Sequence, residues 1–246
     1  VEETLFQMMS GAVDALREVN CALIGGHTCE GKELSLGFAV NGAVQMDKVL
    51  QKGGMCPGEK IILTKPIGTG TLFAAHMRVQ AEGKWIVKAL KHMAQSNYRA
   101  SEGFNEFDAS ACTDVTGFGV LGHLSEMVKA SDVGAKLNLD ALPLMDGALE
   151  CVVEKKIFSS LQPANLRLRR AISNEASALK HPAYPLIFDP QTSGGLLATV
   201  SAKNADECVS TLRKIGYEHA CIIGEVVQSR GVHCFSSSNG VHLDEF

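Results

Sequence analysis

Three short stretches combine glycine with hydroxyl or carboxylate side chains where an apolar run meets a turn. Gly25-Gly26-His27-Thr28 follows the apolar Ala22-Leu23-Ile24. Adjacent glycines let successive backbone N–H groups point into one concave space, and the Thr28 hydroxyl adds a donor, an arrangement suited to phosphate oxygens. The same tetrapeptide also reads as a plain tight turn with His27 on the surface. Thr113-Asp114-Val115-Thr116-Gly117-Phe118-Gly119 lies between a short apolar run and a helical one. Asp114 offers the hard oxygen that Mg²⁺ takes, and the glycines allow a ligand to come close. Equally, Asp114 or Thr116 reads as a cap or turn former for the helix that follows. Asp189-Pro190-Gln191-Thr192-Ser193-Gly194-Gly195 has the composition of a turn, with Asp189 hydrogen-bonded within its own loop.

Other reactive side chains carry weaker signals. Lys65 stands at a strand end before Pro66, within reach of a phosphate but equally an ordinary solvated lysine. His123 sits one turn past Gly119, where packing is a commoner role than catalysis. Cys29 has no activating base nearby, and none of the eight cysteines forms a Cys-x-x-Cys pair, so free thiols in a reducing compartment are expected. Metalloprotease, nucleophile-elbow and Walker-A patterns are missing from these residues.

Elements that would position these groups follow from periodicity. Leu5, Met9, Val13, Leu16 and Val19 predict a helix over 2–20, and apolar runs predict strands over 22–26 and 33–44. The glycine- and proline-rich stretch 51–59 predicts a boundary, placing one domain at 1–52 and another at 58–235, with a polar tail at 236–246. Strands are predicted at 60–65, 135–139, 196–200, 220–227 and 232–235. Helices are predicted from about 72, over 84–97 with Ile86, Val87, Leu90 and Met93 on one face, and over 120–130, 145–153, 167–179 and 202–215. Such a mixture, without a strict βαβ period, points to an α+β fold.

Composition bounds the function classes. The 246 residues are 46% hydrophobic and 20% charged, which excludes a disordered chain. With 23 Lys+Arg against 27 Asp+Glu the net charge is −4, and no basic run offers a nucleic-acid surface. No apolar stretch reaches the roughly 18 residues of a membrane span, so a soluble protein is expected, and the unpaired cysteines make the cytoplasm its expected compartment.

Taken in order, the motifs resemble those of the selenophosphate synthetase (selenide, water dikinase) family, within the wider aminoimidazole ribonucleotide synthetase group. The resemblance rests on Gly25-Gly-His-Thr28, on Leu63-Thr-Lys-Pro-Ile-Gly-Thr-Gly70, and on Thr113-Asp-Val-Thr-Gly-Phe-Gly-Val-Leu-Gly-His-Leu-Ser-Glu-Met127. Asp189-Pro-Gln-Thr-Ser-Gly-Gly-Leu-Leu197 completes it. It implies the end of an N-terminal ATP-binding α/β domain followed by a synthetase-like C-terminal α+β domain. It implies transfer of the γ-phosphoryl of ATP to selenide, with Asp114 as a Mg²⁺ ligand and Gly26, His27 and Thr28 contacting ATP at a site shared in a homodimer. The family's glycine-rich segment with a catalytic Cys or selenocysteine is not among these residues, so the chain, which opens on Val1, is expected to be the C-terminal portion and inactive alone. A non-catalytic paralogue that regulates an intact synthetase, or a sibling enzyme such as thiamine-phosphate kinase, is the alternative.

Overall fold

The computed structural model describes residues 1–228 and 231–235. The chain divides into two units, Val1–Val49 and Leu50–Phe246. The first holds helix α1 (Glu2–Glu18) and a single 3₁₀ turn, Met46–Lys48. Glu2 and Glu3 in its first turn and Arg17 in its last complement the helix dipole. Strands expected over 22–26 and 33–44 do not form. A strand is held by hydrogen bonds to a neighbour, and within this unit no second strand stands beside them; Ile24 is 93% exposed and Val40 75%. Residues 1–49 therefore do not show an α/β domain.

The second unit carries the α+β architecture. It runs through β1 (Lys60–Leu63), α2 (Thr69–Met77), α3 (Gly83–Ala94), α4 (Tyr98–Glu106), β2 (Ala111–Asp114), α5 (Gly119–Ser131) and β3 (Gly134–Asn138). Then come α6 (Ala148–Val153), α7 (Gln162–Asn165), α8 (Glu175–Ala178), β4 (Leu196–Val200), α9 (Ala205–Lys214), β5 (Cys221–Val227) and β6 (Gly231–Phe235). The six described strands form one sheet in the order β2-β4-β1-β5-β3-β6. Among them β3 and β6 pair in parallel and the other neighbours are antiparallel.

Both faces of this sheet are covered, which is why its central strands read as unbroken apolar runs rather than alternating ones. Ile61, Leu63 and Leu197 pack with Leu72, Leu121, Leu124 and Met127 on one face. Their sequence neighbours Ile62, Leu196 and Ala198 point the other way, towards Phe104, Cys208 and Leu212 of α4 and α9. On α3 the buried stripe is Trp85, Ile86 and Ala89, while Val87 and Leu90, expected beside Ile86, are exposed. The expected helix over 167–179 is broken into a 3₁₀ segment, Leu166–Ala171, and α8, with Ile172 extended between them. The tail at 236–246 lies outside the described residues. Among the described residues no helix is long and apolar enough to cross a membrane.

Candidate functional site

Strand pairing brings three of the glycine-containing motifs to one end of the sheet. Leu63 faces Leu197 and Asp114 faces Leu196 across antiparallel ladders, so β1 and β2 end where β4 begins. The loops 64–71, 115–119 and 189–195 therefore emerge side by side. Thr64 N–H donates to the Leu196 carbonyl (3.0 Å), and Leu196 N–H donates to Thr64 Oγ1 (2.8 Å). Val115 N–H donates to the Gly195 carbonyl (2.9 Å), and Gln191 N–H to the Thr116 carbonyl (3.0 Å). Asn165 Nδ2 reaches the carbonyls of Gly117 (2.7 Å) and Phe188 (3.0 Å).

Two motif glycines are required by this closeness. A Cβ on Gly194 would stand 2.1 Å from the Val115 carbonyl oxygen. Gly119 adopts φ +70 against the backbone of Ile187–Asp189, a conformation and a gap that only glycine fits.

Asp189 is fully buried at the seam. Its carboxylate accepts from Thr71 Oγ1 (2.8 Å), from Gln191 Nε2 (3.0 Å) and from the backbone at Gly70 and Thr71 in the first turn of α2. Burial raises its pKa to about 6, and those hydrogen bonds pull in the opposite direction. Gln191 completes the seam by accepting from Gly68 N–H (3.0 Å) and Thr69 N–H (3.3 Å). The expected intraloop bond of Asp189 is present, and its bonds to Thr71 join two motifs 118 residues apart.

Lys65 is not a solvated lysine. It is 2% exposed, and its Nζ donates to the carbonyls of Gln95, at the C-terminus of α3, and Ser193 (3.2 Å). Burial away from water lowers its pKa to about 8. Occupied in this way, it ties the end of α3 to the 189–195 loop and is turned away from any surface phosphate.

Asp114 stands at the end of β2 with its side chain exposed. Among the described residues its carboxylate enters no ion pair, and no group of three or more His, Cys, Asp and Glu side chains could enclose a metal ion. The residues present thus fit a divalent cation as one exposed hard-oxygen ligand and not as a complete site. His123, buried on α5, contacts the Asp114 loop: Thr116 N–H donates to its Nε2 (3.0 Å). Gly26, His27 and Thr28 belong to the first unit, where all three are exposed and outside any regular element. Cys29 is exposed as well, whereas Cys112, Cys208 and Cys234 are buried thiols whose pKa burial pushes up to about 12.

Thr71, Gln191 and Asn165 escaped the sequence reading. The composition of their segments marks turns, but their partners are remote in sequence and only the folded sheet brings them together.

Comparison with known proteins falls on the same residues. A family described as "AIR synthase related protein, C-terminal domain" matches residues 56–235. The chain is 35% identical over 225 residues to "Selenide, water dikinase" of Clostridioides difficile (strain 630), covering 92% of this chain and 64% of that protein. It is 38% identical over 235 residues to the protein of the same name from Geobacter metallireducens, covering 93% and 66%. The chain thus spans a little under two thirds of the length of these curated relatives. Among solved structures, hydrogenase maturation protein HypE in complex with ATP superposes with a TM-score of 0.58 at 15% identity, over 81% of this chain and 54% of that one. At that identity the likeness is one of fold.

Proposed function

Because this chain belongs to the AIR synthase related family and is similar along most of its length to selenide, water dikinases, we propose that it serves a selenophosphate synthetase. The reaction is transfer of the γ-phosphoryl of ATP to selenide, with water consumed and selenophosphate, AMP and orthophosphate formed. The observation that carries this reading is the meeting of the 64–71, 115–119 and 189–195 motifs at one end of the sheet, with Asp114 exposed beside them.

In this reading residues 1–52 are the end of an ATP-binding domain and 58–235 the synthetase-like domain of a cytoplasmic homodimer. Asp114 is the residue that would offer one hard oxygen to a Mg²⁺ ion. Held there, such a cation would supply neutralisation of charge on the phosphate oxygens. Gly26, His27 and Thr28 donate to ATP held mainly by the partner subunit. The chain's own contribution at Asp114 is rigidity. The loop is fastened through Val115, Thr116 and Gly117 to its neighbours, so the carboxylate is presented from a fixed backbone. The ATP complex of HypE, a protein of the same fold, supports the choice of nucleotide.

The test is Asp114→Asn in the natural gene product that contains this chain. Selenophosphate formation should fall roughly 100-fold or more with the unfolding midpoint unchanged. Wild-type activity in that variant would reduce Asp114 to a loop former.

A further inference from the structure

We propose that His123 is a positioning residue for the loop that carries Asp114, acting as a neutral imidazole protonated on Nδ1; its functional consequence rests on the reading of Asp114 as a metal ligand. The tautomer follows from the partners. A backbone amide can only donate, and Thr116 N–H points at Nε2 at 3.0 Å, so Nε2 must hold a lone pair. In a neutral ring the proton then sits on Nδ1. That atom is buried without a hydrogen-bond partner and faces Glu126 Oε2 at 3.6 Å. A small movement of Glu126 would close the gap, and Glu126 is itself held by Lys52 Nζ at 2.8 Å. An imidazolium would set a second donor against the Thr116 amide, so this contact favours the neutral ring.

The surroundings agree. Burial lowers the pKa of His123, and Lys52 acts in the same sense, while Glu126 and Asp114 oppose them. Phe118 covers the ring, with centroids 5.7 Å apart. Thr116, the residue that His123 grips, is also fixed from its other side. Its carbonyl accepts from Gln191 N–H and from Gly119 N–H, each at 3.0 Å. Two residues before it stands Asp114. Through the Thr116 amide at 3.0 Å and the Thr116 hydroxyl at 3.2 Å, His123 therefore helps to fix the loop that follows Asp114, although it has no place among the ligands.

Two measurements on this chain test the assignment without any assay of activity. Imidazole ¹⁵N NMR should show a pyridine-type Nε2 and a protonated Nδ1; a protonated Nε2 overturns the proposal. Amide hydrogen exchange at Thr116 should quicken about tenfold or more in His123→Phe and stay near wild type in His123→Gln, whose side-chain oxygen reaches the Nε2 position. Equal exchange in the two variants also overturns it. Should the Phe variant fail to fold, the wild-type tautomer and the Gln variant still decide. In the natural gene product, His123→Phe should raise the Mg²⁺ needed for half-maximal turnover about tenfold with the KM for selenide unchanged. An unchanged Mg²⁺ requirement would leave His123 a merely structural residue and refute the positioning role. A wild type that makes no selenophosphate would count against the proposed activity instead, with the NMR and exchange results still deciding the tautomer and the grip on Thr116.

Discussion

Asp189 carries a charge into the interior with only hydrogen-bond donors around it, and its titration makes that cost measurable. Its folded pKa of about 6 lies above the ordinary 3.8. An acid raised in this way contributes stability that is fully present below about pH 4 and is lost as pH rises through about 6. A shift of about two units corresponds to about 3 kcal/mol. Asp189→Asn keeps the shape and removes the charge, so the wild-type chain should gain stability relative to the variant as pH falls from 7 to 4.5. Chemical denaturation of both proteins at those two values checks this. A difference between them that does not vary with pH contradicts the account. The buried cysteines, by contrast, behave as small apolar side chains, as the lack of Cys-x-x-Cys pairs leads one to expect.

The elements hold the loops together by close backbone approach. Gly194→Ala would drive a methyl group into the Val115 carbonyl, and a loss of about 2–4 kcal/mol is expected, read as a lowered unfolding midpoint. Leu121→Ala, in the fully buried stripe of α5, should cost a comparable 2–5 kcal/mol through the cavity it leaves. If Gly194→Ala were neutral, the loop seam would be looser than described. Continuous apolar runs made β1, β4 and β5 legible, and the i, i+3, i+4 pattern of Val120, Leu124 and Met127 did so for α5. Helix α4 was not legible, because Tyr98–Glu106 contains a glycine, a serine and an asparagine and buries only Ala100, Gly103 and Phe104. The strands expected over 22–44 failed for a different reason: apolar content gives a segment the capacity to pair, but the neighbour must be there. The site shows the same division. Each motif could be read locally as a turn with polar groups, while the bond from Thr71 to Asp189 depends on strand register that a single sequence does not reveal.

The molecule as a whole consists of two units with very different interiors. Residues 50–246 enclose apolar side chains on both faces of the sheet, whereas no residue of 1–49 is buried. Residues 50–246 alone should therefore unfold in a single cooperative transition by circular dichroism, with amides of Ile61–Leu63 among the best protected. A gradual, non-cooperative melt would contradict an independent core. The proposed phosphoryl transfer can be followed by ³¹P NMR of the natural gene product with ATP, Mg²⁺ and selenide. A selenophosphate resonance should grow with AMP and orthophosphate, depend on selenide, and disappear in Asp114→Asn. ATP consumption that is indifferent to selenide, or that yields no selenophosphate, would contradict it.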